Sequence, residues 1–362
     1  MTVSSVRPGA RTVQRLEVLD VLRGVAILAM LIAHGVPFLW PTGVSRPVEM
    51  TLGAVNAVAS PLFGVAMGCA AALVWARPAT MRAWPRRVLT DVTRGVVVFA
   101  LGMLLVELDT WVAIVLQVLG VLMVIGLPVA ALAGASMRAG PWAERARWAL
   151  LAVTGALFLL APWVTGQVAP AERRLANGST GGLAEIWAAL IAGWSYRAVS
   201  LLPFFALGAV LAATGLLRRP RLLLVWAAPV GIALSTLRLL GVLRPAELSG
   251  GFMDQWWDLT LVTLAVALVS GVVGFAASSM QPVWRSVADL GAIALSVYAL
   301  QLIVLRPLME WGAWRDSAAL AWVAMVALVL IPSGLMVGWR RTLGPGPLER
   351  LVALVTGKGR AT

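Results

Sequence analysis

The stretch RLEVLDVLRGVAILAMLIAHGVPFLW, from Arg15 to Trp40, decides the fold class. It is an apolar run long enough to cross a bilayer, which needs about 20 such residues. It nevertheless carries Asp20 and Arg23 near its start and His34, the only histidine of the chain, near its end. Ionisable groups at membrane depth are costly and usually line a cavity or pair with one another. The first helix is therefore expected to border a functional site.

The composition of the whole chain indicates a membrane protein. Of its 362 residues, 60% are hydrophobic and only 12% are charged, which leaves too little polar surface to cover a soluble domain. In a soluble protein the net charge of +13 would suggest nucleic acid. Here arginines at cytoplasmic helix ends, next to anionic lipid, explain it. We expect membrane lipids as partners and no nucleic acid.

Hydrophobic runs of about 20 residues divide the chain into predicted spans. The expected fold is an all-α polytopic integral membrane protein with about ten transmembrane helices, in a single domain over residues 1–362. Most basic residues fall on one side of the segments, which predicts that both termini, 1–16 and 340–362, are cytoplasmic. The predicted spans are 17–39, 52–76, 88–108, 111–136, 145–165, 197–216, 221–243, 257–278, 287–306 and 317–339.

Cysteine and histidine usage narrows the possible chemistry. One cysteine, Cys69, excludes a disulfide within the chain, and one histidine disfavours a structural zinc or haem site, so no metal is expected. No small-residue cleavage site follows the first apolar run, which we therefore expect to remain as a helix. The expected location is a cell membrane, the plasma membrane of a bacterium.

The polar residues of the first span share one face. At about 100° per residue, Arg23 and His34 lie 300° and about 320° round the helix from Asp20, and at ~1.5 Å per residue Arg23 and His34 are roughly 16 Å apart. This stripe predicts one wall of a passage through much of the membrane. His34 by itself would equally fit a hydrogen-bonded core histidine.

Other polar residues of the predicted spans fall into the same two layers. Asp20–Arg23 and Asp91–Arg94 are spaced to form ion pairs within a helix. Gly64 and Gly68 form a small-xxx-small pair, which is typical of close helix packing. The inner layer includes Asp20, Arg23, Arg82, Arg86, Arg87, Asp91 and Arg94, and the outer layer includes His34, Gln117, Tyr298 and Gln301.

Several segments, in order, resemble a known superfamily. LDVLRGVAILAMLIAH, with eleven residues from Arg23 to His34, resembles the first-helix signature of membrane-bound acyltransferases. The chain is more widely similar to the YeiB-like branch of the heparan-α-glucosaminide N-acetyltransferase-like transmembrane acyltransferases. The segments that carry this similarity are SPLFGVAMGCAAAL, WVAIVLQVLGVLMVIGL, VSLLPFFALGAVLAATGLL, ADLGAIALSVYALQLIV and GPGPLERLVALVTG. Ala292 and Val297 stand where the branch has Arg and Asn.

The resemblance implies acyl transfer across the membrane from cytoplasmic acyl-CoA, the expected co-substrate, to a hydroxyl or amine of a sugar, lipid or natural product. Guanidinium groups bind phosphate in a bidentate way, so the inner arginines are the expected CoA site. His34 is the expected general base or acyl carrier, and Tyr298, Gln301 and Gln117 would position the acceptor or polarise the thioester. The expected CoA-site residues are Asp20, as partner of Arg23, and Arg23, Arg82, Arg86, Arg87 and Arg94.

Two other classes of function stay open on the sequence alone. A transporter or immunity protein would use the same polar stripe as a permeation path, with His34 relaying protons. A membrane protein that assists natural-product tailoring would keep the architecture without acyl transfer. Binding of CoA separates the first of these classes from the acyltransferase.

Overall fold

The computed structural model describes residues 8–176, 198–242, 250–275 and 281–357. All regular elements of these residues are helical and none is a strand, which confirms the predicted all-α class. The α-helices are α1 (Pro8–Gly35), α2 (Arg46–Trp75), α3 (Pro78–Arg82), α4 (Trp84–Val106), α5 (Leu116–Ile125), α6 (Leu127–Ser136), α7 (Ala143–Ala176), α8 (Ala198–Thr214), α9 (Pro220–Leu239), α10 (Phe252–Phe275), α11 (Gln281–Ala292), α12 (Ala294–Trp311), α13 (Ala318–Leu343) and α14 (Pro347–Val355).

Membrane-spanning elements account for most of this described part. Seven of its helices, α1, α2, α4, α7, α9, α10 and α13, are long and apolar enough to cross a membrane. The pairs α5–α6 and α11–α12 would each form one bent span, with bends of 51° and 83°, and α8 is a shorter apolar helix. Each predicted segment falls on one of these elements, so the multi-pass architecture is confirmed. The orientation of the termini stays a prediction.

Helix α1 is the central element of the bundle. In its most apolar window 61% of the residues are buried inside the protein, against 22% for α4, so α1 is surrounded by protein while much of α4 faces outward. Its main neighbours are α2 and α11, and it also touches α10, α12 and α13. Of the polar stripe of α1, His34 is therefore buried among protein, whereas Asp20 and Arg23 stay partly exposed near the start of the span.

Helices α2 and α8 cross at backbone contact. A Cβ atom on Gly68 of α2 would collide with the carbonyl of Phe205, and one on Gly208 of α8 would collide with the carbonyl of Val65. The Cys69 thiol also donates to the carbonyl of Gly208 at 3.0 Å. The predicted small-residue pair of α2 thus marks close packing against α8, where van der Waals contact holds membrane helices together.

The second bent span places a helix start inside the bundle. The end of α11 lies against α1, where a Cβ on Gly291 would be 2.7 Å from the amide nitrogen of Gly24. The chain turns at Ile293, and α12 begins at Ala294. Hydropathy alone predicted one continuous span over 287–306, because a bend between two apolar helices leaves the hydrophobic run unbroken.

The described part of the predicted cytoplasmic segment 340–362 is helical for most of its length. The predicted cytoplasmic segment 340–362 begins within α13 and, after Gly344–Gly346, forms the amphipathic helix α14. Helix α14 packs on α12 and α4. Residues 358–362, like the first seven of the chain, lie outside the described part.

We predict that Gly208→Ala destabilises the protein. The added methyl must displace the α2 backbone, and overpacking of this kind costs about 1–3 kcal/mol. The melting temperature in detergent should fall clearly below that of the unmodified protein. Gly155→Ala is the matched control, because a Cβ at Gly155 meets nothing within 4 Å and alanine favours a helix. Equal melting temperatures for the two variants would contradict the close α2–α8 crossing.

Candidate functional site

A cavity of about 360 Å³ lies between α1, α2, α4, α5, α12 and α14. Arginines line one part of the cavity, here named the arginine end, and Tyr298 lines the part towards His34. The wall between them is almost wholly apolar. The lining residues are Arg23, Met30, Phe63, Met67, Ala70, Ala71, Val74, Arg87, Asp91, Arg94, Val98, Val115, Leu116, Leu119, Met123, Leu127, Ala130, Phe205, Gly291, Ala292, Ala294, Leu295, Tyr298, Glu349, Val352, Ala353 and Thr356.

Two of the three arginines at this end are paired with carboxylates. Arg23 donates to Asp20 at 3.3 Å, as the sequence spacing predicts. Arg87 binds Asp91 with both prongs of its guanidinium, its Nε lying 2.7 Å from Oδ2. The indole N–H of Trp75 donates to the same carboxylate at 3.2 Å. Asp91 is therefore buried, and its carboxylate accepts hydrogen bonds from Trp75 of α2 and Arg87 of α4.

Arg94 is the arginine without such a partner. The predicted Asp91–Arg94 pair does not form, because Arg87 and Trp75 already occupy the Asp91 carboxylate. In the part of the chain that the structure describes, no carboxylate is within ion-pair distance of Arg94. Its side chain is solvent-accessible and lines the cavity, within electrostatic range of Arg23 and Glu349. The cavity thus holds a positive charge with a free hydrogen-bonding face.

Glu349, a residue that the sequence analysis did not select, fixes the start of α12. Its carboxylate accepts the backbone N–H of Leu295 at 2.9 Å and that of Ser296 at 3.2 Å, and it also accepts the Ser296 hydroxyl. A carboxylate is favoured at a helix N-terminus because the orphan N–H groups and the helix dipole are positive there. The signal in the sequence for this role was that Glu349 is the only acidic residue of the amphipathic helix α14.

The far end holds three of the predicted site residues. Tyr298 is buried, and its hydroxyl accepts the backbone N–H of Val115 at 3.3 Å. His34 packs edge-on against Tyr298, with 6.0 Å between ring centroids. Gln301, one turn after Tyr298, lies beside His34. Within the described residues, Nδ1 of His34 and the amide of Gln301 have no well-formed hydrogen bond.

The expected continuous passage from the arginines to His34 is interrupted in the structure. Tyr298 lines the cavity, whereas His34 and Gln301 do not. The Tyr298 ring stands between them, held there by Val115. A helical wheel places Arg23 and His34 on one face of α1, but it cannot show that a side chain from another helix divides the space in front of that face.

The other predicted residues lie away from the cavity. Arg82, at the end of α3, and Arg86, in the first turn of α4, are exposed and absent from the lining. Gln117 is also absent from it and contacts the sulfur of Met103 at 3.1 Å. The described residues contain no group of three His, Cys, Asp or Glu side chains that could hold a metal ion.

Two family models match the chain, one in each half. Residues 15–179 match heparan-alpha-glucosaminide N-acetyltransferase, catalytic. Residues 205–358 match a protein family of unknown function, DUF418. No curated protein and no solved structure matches the chain.

The cavity takes residues from both matched regions. The first region contributes Arg23, Arg87 and Arg94, and the second contributes Tyr298 and Glu349. The two matches confirm the resemblance to the heparan-α-glucosaminide N-acetyltransferase-like and YeiB-like superfamily, and the apolar helices are those of a multi-pass membrane protein.

Proposed function

We propose that this protein transfers an acyl group from acyl-CoA, bound at the arginine end, to an acceptor at the His34 end. The observation that carries the proposal is Arg94: a solvent-accessible guanidinium without a carboxylate partner that lines the charged end of a mostly apolar cavity. Its N–H groups are available to a ligand. A phosphate fits the planar donor fork of arginine, and the resulting bonds are charge-assisted.

Arg23 and Arg94 form the proposed phosphate contacts. Arg23 is only partly occupied by Asp20, with a single contact at 3.3 Å, so its other N–H groups are open to a ligand. Arg87 forms a bidentate pair with Asp91, so it stabilises the cavity wall instead of contacting the ligand. The positive potential of all three still favours an anion near this end.

The apolar stretch of the cavity suits the rest of the donor. Between the arginines and Tyr298 the wall includes Met30, Phe63 and Met67, which offer van der Waals contact to a pantetheine arm and exclude water from the thioester. In the proposed complex the arm extends from the arginines towards Tyr298. The ring of Tyr298 must rotate away before the acyl carbon can reach His34.

The proposed chemistry at His34 is ordinary acyl transfer. The acceptor nitrogen or oxygen bonds to the acyl carbon, the carbon–sulfur bond breaks, and the electron pair leaves with the CoA thiolate. His34 removes the acceptor proton as general base and passes it to the thiolate, or it accepts the acyl group first and then gives it to the acceptor. Gln301 would orient the imidazole, and the Tyr298 hydroxyl would polarise the thioester carbonyl.

The family that matches residues 15–179 suggests an acceptor class to test. Its name refers to N-acetylation of an α-glucosaminide. We therefore propose an amino-sugar amine as the first acceptor to test, with acetyl-CoA as donor. A hydroxyl acceptor would use the same steps, because the imidazole removes a proton in either case.

Binding of CoA to the purified protein should raise its melting temperature. A ligand at about 100 times its Kd stabilises the folded state by about 2.7 kcal/mol. Arg94→Gln should abolish the shift and Arg23→Ala should reduce it, because both remove a phosphate contact. Arg285→Gln is the matched control, an exposed arginine outside the cavity. A protein that shows no shift with CoA or acetyl-CoA would contradict the proposal and favour a transporter.

The role of His34 is tested by acyl transfer itself. With labelled acetyl-CoA and glucosamine, His34→Ala should lower product formation by about 10²–10⁴-fold, the usual contribution of a general base. The CoA-induced melting shift should stay unchanged, since His34 lies outside the cavity. Activity that survives this substitution, with a normal CoA shift, would make His34 a structural residue.

A further inference from the structure

The loop 107–115, between α4 and α5, is attached to the His34 end at two points. The indole N–H of Trp111 donates to the carbonyl of His34 at 3.1 Å, one of the carbonyls that the end of α1 leaves without a helical partner. The N–H of Val115 donates to the hydroxyl of Tyr298 at 3.3 Å. The loop therefore contacts both His34 and Tyr298.

Arg306 fastens the other end of this loop. It lies two turns after Tyr298 on α12, and its Nη1 donates to the carbonyls of Asp109, at 2.7 Å, and Leu108, at 3.3 Å. The Asp109 carboxylate is 3.4 Å away. Asp109 has φ of +46°, in the left-handed region. Aspartate tolerates this conformation better than most residues, and Arg306 contacts the backbone at this turn.

Three aromatic rings pack together on the same side of the bundle as the loop 107–115. Trp111 lies edge-on to Phe38, with ring centroids 4.9 Å apart, and to Trp314, at 5.9 Å. Phe38 and Trp314 are buried, at 0% and 5% exposed. Phe38 follows α1 directly and Trp314 follows α12, so the three rings join the loop to both helices that carry the His34 site.

We propose that loop 107–115 is a cover over the His34 end and that Arg306 is the positioning residue that holds it shut. His34 is only 7% exposed, so an acceptor that approaches from this side must first displace the loop. The significance for acyl transfer rests on the proposed function. The contacts of the loop with the His34 carbonyl and the Tyr298 hydroxyl do not depend on that function.

Because the chain has a single histidine, opening of the loop can be measured as the rate of chemical modification of His34. Diethyl pyrocarbonate adds an ethoxycarbonyl group to an accessible imidazole nitrogen and releases ethanol and carbon dioxide, and mass spectrometry reports the extent. The protein is purified with a tag free of histidine, so His34 remains the one imidazole. Its modification should be slow in the unmodified protein, because reaction requires local opening.

Arg306→Gln should accelerate modification of His34 by about tenfold or more, the change expected when a charge-assisted hydrogen bond no longer holds the closed state. Arg306→Lys should give a smaller increase, since one ammonium can still reach the Asp109 carbonyl. Glu310→Gln is the matched control: it removes another partner of Arg306, at 2.6 Å, and leaves the loop contacts in place. Its rate should equal that of the unmodified protein.

Melting temperatures measured in parallel separate local opening from loss of the fold. A tenfold faster reaction in Arg306→Gln at an unchanged melting temperature supports the cover. Equal rates in Arg306→Gln and the unmodified protein, or equal acceleration in Glu310→Gln, would overturn it, as would rapid modification of His34 in the unmodified protein. No step uses CoA, so these results stand whether or not the protein transfers acyl groups.

Discussion

The hydrogen bonds between the Glu349 carboxylate and the first turn of α12 are the constraint on which the site depends. Helix α12 starts inside the bundle, after a bend of 83°, where its free N–H groups would otherwise be costly. The Glu349 carboxylate accepts hydrogen bonds from two of these N–H groups. It thereby links α14, the last helix of the described chain, to the start of α12 beside the cavity. The start of α12 therefore fixes how deep in the bundle Tyr298, Gln301 and Arg306 lie.

Helix α12 carries three of the functional residues at successive depths in the bundle. Tyr298 lines the cavity, Gln301 one turn later lies beside His34, and Arg306 binds the loop at the far end. A single helix thus touches the proposed donor site, the proposed reaction site and its proposed cover. A small movement of α12 would change all three, which offers a physical link between donor binding and access to His34.

The charge pattern at the arginine end divides the arginines by role. Arg87 donates two hydrogen bonds to Asp91 and supports the wall, whereas Arg94, about two turns further along the same face of α4, is left for a ligand. Arg82 and Arg86 stand outside the cavity, where the positive-inside tendency is sufficient to explain them. Similar residues close together in the sequence thus have different surroundings, because only some of them point between the helices.

The sequence by itself determined the multi-pass helical architecture, the superfamily and the Asp20–Arg23 pair, since hydropathy, ordered motifs and spacing within a helix are local properties. It also placed Arg23, Arg87, Arg94 and Tyr298 among the candidates that line the cavity. Only the tertiary structure decided that Asp91 binds Arg87 rather than Arg94, that Glu349 caps α12 and that Tyr298 lies between the cavity and His34. The Trp75 bond that helps to fix Asp91, the Glu349 cap and the Tyr298–His34 contact all join different helices. Helical periodicity carries no information about which residue of another helix fills the space between them.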